Sequence, residues 1–174
     1  PVDLSDATRE VIELTRNDLQ RNRVALRTEL ADDLPFVMGD RIQLQQVIMN
    51  LIRNAADAMR DIEGRPRQLT ITTERDESDL VQLTVQDSGT GFEPESMNNL
   101  FEAFYTTKND GMGMGLSVSR SIIENHNGRL WANLNDGAGA TFSFSIPGGA
   151  GTVADAASPN EIAVKDQKRA ARSA

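Results

Sequence analysis

The sequence predicts an α/β domain, and three observations predict it. The stretch "LQQVIMNLIRNAADAM" sets Leu44, Val47, Ile48, Leu51, Ile52 and Ala55 at i, i+3, i+4, i+7 spacing, as in a helix with one buried face. "LTITTE", "LVQLTVQD" and "ATFSFSIP" alternate apolar and polar residues, the period of half-buried strands. The 174 residues are 39% hydrophobic and 25% charged, enough for one domain with its own core and some length to spare.

In order, "LSDATREVIELTRNDLQRN" reads as a first helix, with Ser5 as its N-cap and Val11, Ile12, Leu14 and Leu19 as a partial core stripe. "VALRTEL" alternates as a strand, and Asp40 caps the second helix, which ends near Asp61 before Gly64 and Pro66. The polar link "RDESD" makes a hairpin of the next two strands. Residues 88–113 are mostly loop, a length that in a compact domain marks function or disorder. Within it "LFEAF" forms a short helical turn, with Phe101 and Phe104 plugging the core beneath. "MGLSVSRSIIENH" is a helix starting out of glycines, and "GRLWANL" and "ATFSFSIP" are strands joined by the turn "NDGAG". Beyond Pro147 the chain is rich in Ala and Gly and short of large apolar residues, so the expected division is a domain over residues 1–147 and a disordered tail over 148–174.

The net charge of −8 argues against a nucleic-acid partner. No apolar run reaches membrane-spanning length, and "PVDLSDATRE" has neither the basic start nor the apolar middle of a signal peptide. With no Cys, a reducing, cytoplasmic setting without membrane contact is expected, and the absence of a starting Met suggests a fragment of a longer protein.

Four constellations bear on chemistry. Gln46, Asn50 and Asn54 stand four apart, a polar stripe beside the apolar one. Asn is a poor helix-interior residue, so the pair is either plainly solvent-facing or a source of neutral amide oxygens for a hard cation such as Mg²⁺. In "QDSGTGF", Asp87 shares the parity of Val81, Leu83 and Val85 and so continues on their apolar side. It either opens a Gly-rich turn or accepts from a ligand amine, with Gly89 and Gly91 letting a flat ring approach. "GMGMGLS" sets Gly111, Gly113 and Gly115 before a helix N-terminus, either a flexible loop or a phosphate cradle. In "LFEAFYTTK", Lys108 is either a solvated cation or a phosphate contact.

Their order along the chain carries a resemblance. The sequence resembles the ATP-binding catalytic domain of sensor histidine kinases, in the superfamily with gyrase, Hsp90 and MutL. "LQQVIMNLIRNAADAM" is similar to the family's N-box, "DSGTGF" to the G1 box, "LFEAFYTTK" to the F-box and "GMGMGLS" to the G2 box. "TTK" and "NAADAM" look most like the nitrogen- and oxygen-sensing kinases, and the likeness covers roughly residues 5–147.

The resemblance implies a two-layer sandwich, a mixed and mostly antiparallel sheet with helices on one face (the Bergerat ATP-binding fold). It implies ATP and Mg²⁺ as cofactors. Asn54 would be the Mg²⁺ ligand and Asn50 a support for the phosphates or the ion; Asp87 would hold the adenine amine, Gly91 shape its pocket, and Gly113 and Gly115 let the lid wrap the phosphates. Asp57, Gly89, Phe101, Thr107, Lys108, Gly111 and Leu116 complete the expected nucleotide contacts, Asn50 and Lys108 are the expected catalytic residues, and Thr141 matches a family Thr near the adenine, although simple alternation sets it opposite Phe142, Phe144 and Ile146.

Three departures matter. Where the gyrase and Hsp90 branch has a Glu that activates water, this chain has Asn50, and an amide is no general base. Where many histidine kinases have a phosphate-contacting Lys, it has Asp57, with Lys108 as the substitute. The one His, His126, follows the G2 box at a helix end and is read as a packing or capping residue. The phosphoacceptor His would then belong to a dimerisation domain outside this chain, and phosphate would pass on to a response regulator receiver domain. The rival readings are a gyrase- or Hsp90-type ATPase and a catalytically silent nucleotide-binding docking module.

Overall fold

The computed structural model describes residues 1–105 and 113–152, with side chains described through 149. Helix α1 (Leu4–Arg21) leads into β1 (Val24–Leu30) and β2 (Pro35–Val37), followed by helix α2 (Arg41–Met59). The hairpin β3 (Arg67–Arg75) and β4 (Leu80–Asp87) comes next, then a 3₁₀ turn (Pro94–Ser96), helix α3 (Gly115–Asn125), β5 (Arg129–Leu134) and β6 (Ala140–Thr152).

The strands form one sheet in the order β1-β3-β4-β6-β2, with β5 also on β6. Among the described residues only β1 and β3 run parallel; the other pairs are antiparallel. Alternation assigns the faces. Leu69, Ile71, Val81, Leu83, Val85, Phe144 and Ile146 point inward and are buried, while Gln82 and Thr84 point outward. The three helices cover the inner face with Leu4, Val11, Leu44, Val47, Ile48, Leu51, Ile52 and Ile123. This is the expected two-layer sandwich with a mixed, mostly antiparallel sheet.

Several local expectations are corrected. Asp3, not Ser5, caps α1: its Oδ1 accepts from Asp6 N at 2.9 Å. Ser5 lies inside the helix and is buried, its Oγ donating to Ala31 O and bonding Thr73 Oγ1, both at 2.7 Å. Leu14 is 73% exposed. Thr15 takes the inward place, its hydroxyl satisfied by Val11 O at 3.0 Å. The last strand, expected to end at Pro147, continues as β6 to Thr152, where β2 pairs with it, Val37 with Gly148 and Pro35 with Thr152. Gly148 is needed for that approach, since a Cβ on it would lie 2.6 Å from Pro35 Cγ. Residues from 153 on lie outside the described residues.

Asp40 caps α2 as expected, Oδ1 accepting from Gln43 N at 3.1 Å. His126 caps α3 and ties it to the same place. Its Nδ1–H donates to Ile122 O at 2.7 Å and its Nε2 accepts from Asp40 N at 3.0 Å. A Cβ on Gly39 would sit 2.1 Å from the ring, so the glycine makes room for the imidazole. The start of α2 and the end of α3 are thereby fixed together.

Candidate nucleotide site on the polar face of α2

Two sequence-distant glycine segments meet one stripe of α2. Asn50 donates from Nδ2 to Ser119 Oγ at 3.2 Å and, at 3.4 Å, to Gly115 O in the first turn of α3. Two turns on, Ala58 O accepts from Thr90 N at 3.1 Å, and a Cβ on Gly89 would lie 2.6 Å from that same oxygen. At 1.5 Å per residue, positions 50 and 58 are about 12 Å apart along one helix face. Asn54 lies between them, half-buried. Asn50 and Asn54 thus lie on one helix face, on a line running from Gly115 to the G1 turn. Asp57, about one turn beyond Asn54, is half-buried and ion-paired with Arg60 at 2.8 Å.

The G1 turn is built around Asp87, which is 3% exposed at the end of β4. Its Oδ1 accepts from Gly89 N at 2.7 Å and from Ala140 N at 3.4 Å. Among the described residues no donor is paired with Oδ2, and no side-chain oxygen is both sealed from solvent and unpaired, so Oδ2 faces an opening. Burial pushes the Asp87 carboxyl above the ordinary carboxylate range, opposed by the two N–H donors and by the charge of Arg65.

The turn's outward carbonyls are all taken by side chains. The Arg65 guanidinium donates to Ser88 O and, at 2.9 Å, to Gly89 O. Asn135 Nδ2 donates to Asp87 O at 2.8 Å and to Ala138 O at 2.9 Å. Gly139, at φ +90°, closes the turn from the other side; a Cβ there would lie 2.0 Å from Asp87 O. Gly91 sits at φ +70° beside Leu134 and Gly139, so its lack of a side chain serves both backbone and space.

The other expected positions divide. Phe101 is half-buried and meets the edge of Phe142 at 6.4 Å, with Phe92 against the same ring at 6.3 Å. Phe104 does not plug the core: it is 75% exposed, at φ +66°, and its N–H donates to Gly113 O at 2.9 Å. Gly113, at φ +67°, is pressed against that backbone, a Cβ lying 2.6 Å from Phe104 C. Gly115 opens α3, whose first turn has no side-chain cap, and Leu116 packs on the core. Thr141 is not brought to the Asp87 carboxylate. It pairs with Gln86 on the opposite face, in unbroken register, and its hydroxyl donates to Asn135 Oδ1 at 2.6 Å; Ala140 is the residue beside Asp87. Thr107, Lys108 and Gly111 lie outside the described residues.

Sequence reasoning missed Arg65, Asn135, Gly139 and Ser119. Asn135 alone had a signal, an Asn opening a tight turn. Arg65 and Ser119 act on main-chain atoms or on one distant amide.

Residues 39–150 match the family described as histidine kinase-, DNA gyrase B- and HSP90-like ATPase. The chain is 45% identical over 128 residues to the sensor protein FixL of Bradyrhizobium diazoefficiens, covering 74% of this chain and 25% of that protein. It is 38% identical over 148 residues to the sensor histidine kinase TmoS of Ectopseudomonas mendocina, covering 84% of this chain and 15% of that protein. The chain therefore spans a quarter or less of these relatives. Among solved structures, the nucleotide-free catalytic domain of histidine kinase ThkA superposes with a TM-score of 0.74 at 32% identity, over 84% of this chain and 93% of that one. Full-length ShkA in complex with AMPPNP gives 0.75 at 25% identity, over 88% and 32%. With this fold, this order of motifs and these relatives, the chain belongs to the histidine kinase-, gyrase- and HSP90-like ATPase family, as an ATP-binding catalytic domain of the sensor histidine kinase kind.

Proposed function

We propose that this domain binds Mg-ATP along the polar face of α2 and presents the γ-phosphate to a His on a separate dimerisation domain, from which the phosphoryl group passes to a response regulator. The observation that carries the reading is the open Oδ2 of buried Asp87 at one end of a stripe whose other end meets Gly115 and Ser119 in the first turns of α3. The carboxylate accepts from the exocyclic amine of adenine. The uncapped N–H groups at the start of α3 attract the phosphates. Asn54 offers a neutral amide oxygen to Mg²⁺, and among the described residues no cluster of carboxylates, His or Cys competes to hold it. That donor set fits an ion that keeps its waters and rides on substrate phosphates, where it neutralises developing charge. Thr107, Lys108, Gly111 and Gly113 complete the contacts around the phosphates in this reading.

Asn50 spends its amide on Ser119 and Gly115 and has no basic atom to activate water. Catalysis then rests on positioning for an imidazole that is already nucleophilic. A structural relative, ThkA, occurs in complex with the response regulator TrrA, in keeping with the second transfer.

Calorimetric titration with ATP, with and without Mg²⁺, tests the reading. Saturable binding that tightens with Mg²⁺, with negligible hydrolysis by the chain alone, is expected. No heat at millimolar ATP would sink it.

A further inference from the structure

We propose that Arg65 is a positioning residue of this site: by holding the carbonyls of Ser88 and Gly89 it aims the Asp87 carboxylate at the nucleotide. The inference rests on the nucleotide reading above. Arg65 comes from the loop between α2 and β3, in the stretch "GRPR", and nothing in its surroundings requires it for the core, since it is exposed. Its guanidinium nonetheless spans two successive carbonyls of the turn. A planar fork suits that task, and a point-charge ammonium does not. Together with Asn135 on Asp87 O, it satisfies every carbonyl from 87 to 89 from outside. The turn is thus left one outcome for its acidic side chain: Oδ1 on Gly89 N, Oδ2 outward.

The same geometry has an electrostatic side. Among the described residues, Arg65 is the charged group that acts on Asp87. Its other described neighbours are uncharged: Leu69 across on β3, Ala58 beneath the turn on α2, Ala140 on β6, and Asn135 and Gly139 from the β5–β6 turn. Burial favours the protonated acid, which has a hydrogen on the oxygen meant to accept. Arg65 opposes this, so it keeps the group an acceptor as well as orienting it. Because Arg65 is exposed, this part weakens with salt.

The experiment uses the whole chain with Arg65→Gln and Arg65→Lys, and reads two quantities. One is the Asp87 carboxyl titration followed by NMR without ligand. The other is ATP affinity by calorimetry across pH. For Arg65→Gln we expect the carboxyl midpoint to rise, the acid limb of the affinity profile to rise with it, and neutral-pH affinity to fall roughly three- to tenfold. Arg65→Lys should keep the midpoint near wild type and still bind more weakly, because one ammonium cannot span both carbonyls. A midpoint and an affinity unchanged in both variants would overturn the proposal. So would equal affinity losses at every pH with no change in midpoint, the result of a loosened loop. Asp87→Asn, run in parallel, separates the two claims. If that change leaves ATP affinity intact, the nucleotide reading itself fails and takes this role with it.

Discussion

The two ends of the α2 stripe are built differently. At the Asp87 end, side chains take the carbonyls of 87, 88 and 89, Gly89 is packed on Ala58, and Gly139 is pressed against Asp87. At the Gly115 end, Asn50 reaches α3 by bonds of 3.2 and 3.4 Å, and Phe104 N–H meets Gly113 O. One end has a fixed shape before any ligand arrives; among the described residues, the other is held at few points. A flat base needs a rigid slot with one well-placed acceptor, whereas a flexible chain of phosphates is met by main-chain donors that can follow it. The contrast is that of a socket and a cradle.

The largest expected effect probes the rigid end. Gly139→Ala forces an L side chain to φ +90° and against a backbone oxygen, and should cost roughly 3 kcal/mol of stability. Gly115→Ala adds a methyl 4.0 Å from Asn50 Cγ and should leave the melting temperature unchanged or slightly raised. Equal melting temperatures for the two would erase the contrast.

Next comes Asp87→Asn. Loss of a charged acceptor should weaken ATP binding by about 1.5–3 kcal/mol, roughly ten- to a hundredfold. Stability should move the other way. The folded-state pKa of Asp87 is raised, so its contribution to stability is full at low pH and is lost as pH rises through the folded value. At neutral pH the buried charge is a burden that Asn removes, so thermal melts should show the variant no less stable than wild type. The same sign governs binding by the unaltered chain. ATP affinity should fall on acidification at a pH above the usual carboxylate range, and the Asn variant should lose that dependence.

The smallest effect belongs to Phe104. Phe104→Gly removes an exposed ring from a left-handed backbone position and should stabilise by up to about 1 kcal/mol in denaturant melts. A clear destabilisation would mean that the ring has a packing partner.

Much of this was legible beforehand because it is written in local periods. The stripe of α2, the alternation of β4 and the glycines before α3 led to the right elements, and alternation set Asp87 on the buried side where it lies. Thr141 is instructive: alternation within β6 already set it opposite Phe142, and the observed register keeps that alternation. Phe104 misled because F-x-x-F spacing puts two rings on one face only while the helical turn continues, and the backbone leaves the turn at Phe104. Three-residue β2 is too short to show a period, and with it went the last five residues of β6. Arg65 was invisible because its partners are carbonyls, which every residue has.

The imidazole between α2 and α3 has a practical consequence. His126 is the sole histidine of the chain, 8% exposed, with one nitrogen donating to Ile122 O and the other's lone pair occupied by Asp40 N–H. It has no lone pair left to attack a phosphorus. In a reconstituted mixture with a candidate acceptor and radiolabelled ATP, every acid-labile, base-stable label therefore reports on the acceptor, and the chain itself contributes a blank lane.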